Sequence, residues 1–160
     1  MAGALRLLRT EKTFGLEAAA HLLLDQVAPW VQELGLLVER IEASPPVGAP
    51  DDWAPGAVVR MPFAAKLCPG AGAGAVATQA LMSLADTAMM LACATAWDGY
   101  RPMSTVDQTI HFLRPVAFDV LADARVIRIG RTTTFGRVTI LRATDGQAVG
   151  MVSSACAATA

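Results

Sequence analysis

The chain has 160 residues, enough for one domain with a closed hydrophobic core. Hydrophobic residues make up 54% and charged residues 17%, and the net charge of -1 leaves no basic footprint for nucleic acid and no acidic tail. Cys68, Cys93 and Cys156 are odd in number, far apart and without a C-x-x-C pair, so neither a zinc site nor a disulfide framework is expected, and a reducing cytosol fits best.

The start, MAGALRLLRTEKTFGLE, has arginines beside an apolar run too short for a signal-peptide core, and Glu11 and Glu17 argue against a transit peptide. Residues 14–33 then read as an amphipathic helix. Leu16, Ala19, Ala20, Leu23, Leu24, Val27, Val31 and Leu34 recur at three- and four-residue spacing, and Pro29 should kink or restart it. LLVERIEAS reads as a strand, PPVGAPDDWAPG as a turn-rich connection, and AVVRMPFAAKL as a second strand.

The loop CPGAGAGA contains G-x-G-x-G rather than G-x-G-x-x-G, and no acidic ribose ligand follows at the expected distance. A dinucleotide site is therefore not predicted. Its glycines better suit a close backbone approach at a helix N-terminus, where free N–H groups can hold an oxyanion. A long apolar helix follows, from about Val76 to Trp97. The segment Ala75–Trp97 could span a bilayer by length, but Gln79, Asp86, many alanines and the absence of a basic flank argue against it.

Four strand-like runs come last: Ser104–Leu113, Phe118–Ile129, Thr133–Ala143 and Ala148–Ala157. Asp145-Gly146 between the last two is a hairpin signal. A helix that is apolar all round must be covered all round, so the pattern predicts an α+β domain with a curved antiparallel sheet wrapped around one helix. A second subunit could complete the cover.

Asp86 is the only acidic or basic side chain between Lys66 and Asp98. A buried carboxylate must pair, cap, take up a proton or face a pocket, so Asp86 is either a structural acid or a nucleophile or general base. Other chemistry finds less support. His21 belongs to the amphipathic helix; Asp107 and His111 share a strand face but stand about 13 Å apart along it. Ser83 has no evident base and no G-x-S-x-G around it. Cys93 and the three tryptophans read as packing residues.

LMSLADTAMMLA, followed about twenty residues on by STVDQTIHFLRPV, resembles the hot-dog-fold acyl-CoA thioesterases of the phenylacetate-pathway, PaaI-like type. The likeness runs from about Leu36 to Ala157. It implies about six antiparallel strands around one long helix, with residues 1–33 a helical extension and 34–160 the core of a single domain. It also implies an acyl-CoA substrate, no metal or redox cofactor, and a homodimer or dimer of dimers with the active site at the subunit interface.

By this resemblance Asp86 is the carboxylate nucleophile or general base, and Thr105 is the hydroxyl from the neighbouring subunit that helps position water. Thr87 would support Asp86 in the same pocket. Arg131 and Arg137 would meet the nucleotide end of coenzyme A. The family's His-Gly-Gly is replaced by Ala77, Thr78 and Gln79, where Thr78 keeps the backbone N–H that polarises the thioester carbonyl. That replacement also motivates an alternative, a non-catalytic acyl-CoA or small-ligand binding protein. Hydratase chemistry, also found on this fold, would want a histidine beside the acid.

Overall fold

In a computed structural model, which describes residues 13–70 and 74–159, the N-terminal segment forms α1 (Leu16–Gln26) and a short α2 (Pro29–Gln32). Residues 1–12 and the centre of the glycine-rich loop, including Gly72, lie outside the described residues. Pro29 restarts the helix as expected: it occupies the first position of α2, where its missing N–H costs nothing. Ala19, Leu22, Val31 and Leu34 face inward, while Leu16 and Leu24 of the predicted stripe are exposed.

Strand β1 (Leu37–Glu42) and strand β2 (Gly56–Met61) follow. β2 is shorter than its apolar run because Pro62 cannot donate to a ladder, and Ala65–Leu67 become a 3-10 turn. Helix α3 (Thr78–Trp97) comes next, then β3 (Met103–Phe112), β4 (Val120–Ile129), β5 (Thr133–Arg142) and β6 (Ala148–Ala158). Asp145 and Gly146 do sit in the β5–β6 turn: Gly146 has φ 72°, and the Asp145 carboxylate accepts from the Gln147 N–H at 3.1 Å.

All six strands form one sheet in the order β1-β2-β4-β5-β6-β3, and every neighbouring pair is antiparallel. Alternate residues of β4 (Val120, Ala122, Ala124, Val126) and β5 (Thr134, Gly136, Val138, Ile140) are buried towards α3. The helix is long and apolar enough to cross a membrane, with mean hydropathy 1.3, but 67% of that stretch is buried in this protein. Its C-terminus is closed by Asp98 in a left-handed conformation, φ 56°. The Asp98 carboxylate accepts from the N–H groups of Thr13 and Phe14 at 2.7 and 3.0 Å, tying the start of the described chain to the end of α3.

Gly136 is the point of closest approach between sheet and helix. A Cβ there would strike Sδ and Cε of Met89 and lie 2.8 Å from the Arg125 carbonyl oxygen. Gly136→Val should therefore overpack the core and lower unfolding stability by about 1–3 kcal/mol. Adding Met89→Ala in the same chain should return part of that loss, a coupling readable in a urea-denaturation double-mutant cycle. Strictly additive losses would mean that the contact does not limit the packing.

Candidate active site

Gln79, Met82 and Asp86 recur at three- and four-residue spacing along α3 and so share one stripe. All three are exposed, Met82 at 39%. Asp86 is thus not buried within its own chain, as the apolar sequence around it suggested. The sheet curls over most of the helix and stops short of this stripe, beside the edge strand β3.

Two side chains of β3 reach across to that stripe. The Thr105 hydroxyl donates to Oδ1 of Asp86 at 2.6 Å, a short charge-assisted bond. One turn towards the helix N-terminus, Gln108 Nε2 donates to the Met82 carbonyl oxygen at 3.1 Å. A bulge between Thr105 and Asp107 leaves Val106 as the extra residue, 60% exposed, while Thr105 still pairs with Cys156 of β6. Thr105 therefore comes from the same chain as Asp86. Ser83, which has no base beside it, donates to the Gln79 carbonyl oxygen at 2.9 Å.

Behind Thr105 lies a pair of buried thiols. Cys156 is 1% exposed and Cys93 of α3 is 0% exposed. Ser154 Oγ stands 3.8 Å from Cys156 Sγ. The Cys93 thiol beside it, and then Ser154, draw the Cys156 thiol down to about 7 against burial and the negative charge of Asp86. Cys93 is pushed up by Cys156 beside it and by burial. Sequence reading took Cys93 as core filler and passed over Cys156. The available signal was two polar side chains, Ser154 and Cys156, at inward positions of an otherwise apolar strand.

The N-terminus of α3 carries the second group of candidate residues. Val76 and Ala77 donate to the carbonyl oxygens of Val116 and Leu67, both at 2.7 Å, which pins the entry to the helix. Ala77, the N-cap, makes no side-chain cap bond, and the first two helical N–H groups, of Thr78 and Gln79, have no intrahelical partner by position. Thr78 lines an open cavity of about 360 Å³ with Val76, Phe112 and Arg114. Along the axis, Thr78 and Asp86 are about 12 Å apart at 1.5 Å per residue.

The remaining candidates lie elsewhere. Thr87 is 6% exposed, about 100° around the helix from Asp86, and points into the core rather than sharing the Asp86 surface. Arg131 sits in the turn between β4 and β5 rather than in a strand. Arg137 is exposed on β5, on the sheet face opposite to Gly136 and Val138, and so faces away from α3. There it lines a groove of about 480 Å³ with Glu42, Trp53, Asp123 and Arg125. Among the described residues, no group of three His, Cys, Asp or Glu could hold a metal ion.

The geometry is thus a carboxylate and a helix N-terminus set on the open flank of a six-stranded wrap. The family model described as thioesterase superfamily matches residues 74–149, from the entry of α3 into β6. The fold of this chain is the hot-dog fold. Hot-dog structures of the PaaI type resemble it over nearly their full length. The PaaI protein of the E. coli phenylacetic acid degradation operon is 23% identical, with 91% of this chain and 96% of that one covered and a TM-score of 0.71. A mutant of PaaI from Thermus thermophilus is also 23% identical, covering 82% of this chain and 100% of that one, with a TM-score of 0.65. A conserved protein from Pseudomonas aeruginosa is 26% identical over 83% of this chain and 95% of its own, with a TM-score of 0.68. A search of curated proteins finds no match.

On the outer face of this hot-dog sheet, Arg125 bonds both Glu42 and Asp123. Burial would raise the Glu42 carboxyl, but the hydrogen bonds and charges of Arg125 and Arg40 hold it below its ordinary 4.5. A carboxylate with a lowered folded-state pKa contributes stability above its unfolded pKa and loses it as pH falls through the folded value. Stability of the wild type should accordingly fall more steeply below pH 4.5 than that of Glu42→Gln, measured by urea unfolding across pH. Parallel curves would show the pair to be energetically silent.

Proposed function

We propose that this hot-dog protein is an acyl-CoA thioesterase, hydrolysing a thioester to a free acid and coenzyme A. The carrying observation is Asp86 on the open stripe of α3, its Oδ1 engaged by Thr105. A carboxylate so fixed on one oxygen leaves the other to take a proton from water or to attack the thioester carbon directly. Either route needs a second group to stabilise the developing oxyanion, and the unpartnered N–H groups at the start of α3 supply that chemistry.

One chain does not bring these halves together. A thioester carbon bonded to its oxygen spans little more than an ångström, while Thr78 and Asp86 stand about 12 Å apart. A second copy supplies the missing half. Strand β3 is ten residues long and, among the described residues, pairs with β6 alone, with Val106 and Phe112 exposed at 60% and 42%. An open edge of that length and apolarity favours pairing with another strand. A copy related by a two-fold axis along this edge would set its helix N-terminus against Asp86, and two equivalent sites would result. The water-holding Thr105 and Asp86 would then come from one subunit and the oxyanion donors from its partner. Arg131 and Arg137, distant from Asp86, would serve only the far phosphates of the ligand, where their donor forks suit phosphate.

The replacement of His-Gly-Gly by Ala77, Thr78 and Gln79 motivates the second reading, a protein that binds acyl-CoA without turnover. A panel of short, long and aromatic acyl-CoAs separates the two: release of free thiol supports hydrolysis, and saturable binding without release supports the alternative.

Two variants test the shared site. Asp86→Asn should reduce turnover at least about a hundredfold while the oligomer stays folded. Thr78→Pro removes one N–H at a helix position that tolerates proline and should cost about 10²–10³ in kcat. Refolding the two together should restore about one quarter of wild-type activity, because half of randomly formed two-fold dimers are hybrids with one intact site of two. Full turnover in Asp86→Asn would sink the mechanism, and no recovery on mixing would place both halves within one chain.

A further inference from the structure

Strand β3 turns alternate backbone groups to the open edge of the sheet. The Leu113 N–H donates to the Val149 carbonyl oxygen at 2.9 Å, and backbone directions alternate along an antiparallel strand. Asp107, Thr109 and His111 therefore turn their backbone groups to β6, while Gln108, Ile110 and Phe112 turn theirs outward. The side chains divide the same way. Gln108 and Ile110 stand opposite the buried Ser154 and Val152 and face α3, whereas Asp107, Thr109 and His111 are exposed on the outer face. Among the described residues, no ion pair involves Asp107 or His111.

Directly opposed residues of an antiparallel pair share a face, so a two-fold axis must place one residue opposite its own copy. That residue decides every other pair. An axis at Asp107 would oppose two carboxylates, which is destabilising, and one at His111 would oppose two imidazoles. An axis at Gln108 sets Asp107 against the partner's Thr109, and one at Ile110 sets it against the partner's Leu113. Only an axis at Thr109 sets Asp107 against the partner's His111, and it does so twice. It also sets the exposed Val106 against the partner's Phe112.

The same register completes the site. Phe112 lines the cavity at Thr78, and Val106 follows Thr105, which holds Asp86. Opposing Val106 to the partner's Phe112 thus carries the partner's helix start to the carboxylate. An axis at Ile110 would leave the partner's Phe112 against Gln108, beside Met82 and one turn short of Asp86.

We infer that β3 pairs with β3 of a second copy about a two-fold axis at Thr109, each Asp107 lying against the partner's His111. The inference rests on the second copy of the thioesterase reading but not on turnover. The two side chains would occupy the closer kind of cross-strand position, with Cα atoms about 4.5 Å apart. Such a pair attracts only while the imidazole is protonated, and imidazoles ordinarily titrate near pH 6.5. Beside His111, β6 presents the uncharged Met151, Ser153 and Ala155, and Arg137 stands on β5 opposite Ser153. Along its own chain lie Asp107 and Arg114. Arginines keep their charge throughout this range, so the imidazole alone titrates.

Single cysteines in a Cys68→Ser chain read the register, since Cys93 and Cys156 are buried. Cα atoms about 4.5 Å apart are within reach of a disulfide. Diamide should therefore convert Thr109→Cys, but neither Gln108→Cys nor Ile110→Cys, into a covalent dimer on a non-reducing gel. Sedimentation equilibrium reads the ion pair. The wild-type dimer should be about two- to thirtyfold tighter at pH 6 than at pH 8, for two cross-strand pairs, and His111→Gln should lose that difference. Cross-linking through Gln108→Cys or Ile110→Cys instead, or a pH difference that persists in His111→Gln, would overturn the inference while leaving a dimer. A wild type that sediments as a monomer at both pH values would overturn it together with the shared site. A Thr109→Cys dimer that releases no coenzyme A from any acyl-CoA would support the interface and refute the thioesterase reading alone.

Discussion

The packing of one apolar helix into the concave face of one sheet governs the rest of this molecule. Twelve residues of α3 are buried, and the small ones among them, such as Ala85, Ala88 and Ala92, let the strands come close. The close approach has its own requirement on the sheet side, met by Gly136 opposite Met89. Because interiors are packed at crystal-like density, a change of one methylene at such a point is felt by its neighbours. Six strands cannot encircle a helix from one chain, and the stripe they leave uncovered is where Gln79, Met82 and Asp86 lie.

That gap accounts for how a carboxylate is tolerated in so apolar a helix. In the single chain Asp86 is exposed and needs no compensation. Covering it with a second subunit would strip water from it, and an isolated buried carboxylate costs several kcal/mol or shifts to its neutral form. The Thr105 bond at 2.6 Å is in place before any such burial, so the acid meets a partner surface with one oxygen already satisfied. The same bond ties the open flank of α3 to the edge strand. The geometry of the acid and the geometry of the edge are therefore linked.

Much of this was legible from local patterns. The helix restart at Pro29, the four C-terminal strands and the long helix follow from periodicity, whereas β2 was expected to run on to Leu67 and stops at Met61, before Pro62. Asp86 stood out because it was alone among apolar residues. Its exposure was not legible, since composition says how apolar a helix is but not how far a sheet will reach around it. Thr87 illustrates the same gap: one residue along the sequence is about 100° around the helix, enough to exchange the site for the core. The surroundings of Thr105 were beyond local reading altogether. They depend on β3 lying beside β6 at the far edge of the sheet, a long-range pairing that brings Thr105 opposite Cys156.

The departure at the helix start, Ala77-Thr78-Gln79, also reads differently once the entry to α3 is seen. A serine, threonine, aspartate or asparagine at the N-cap would use its side-chain oxygen to satisfy the N–H groups one or two residues into the helix. Ala77 has no such oxygen and makes no side-chain cap bond. Its backbone is instead held from outside, by the carbonyl oxygen of Leu67. The helix entry is thereby fixed without consuming its own donors, which stay available to a ligand together with the positive end of a twenty-residue helix dipole. A Cβ on Thr78 narrows the approach but leaves its N–H in place. What the altered triplet changes is access to the donors, and access is a property of ligand shape rather than of catalytic chemistry.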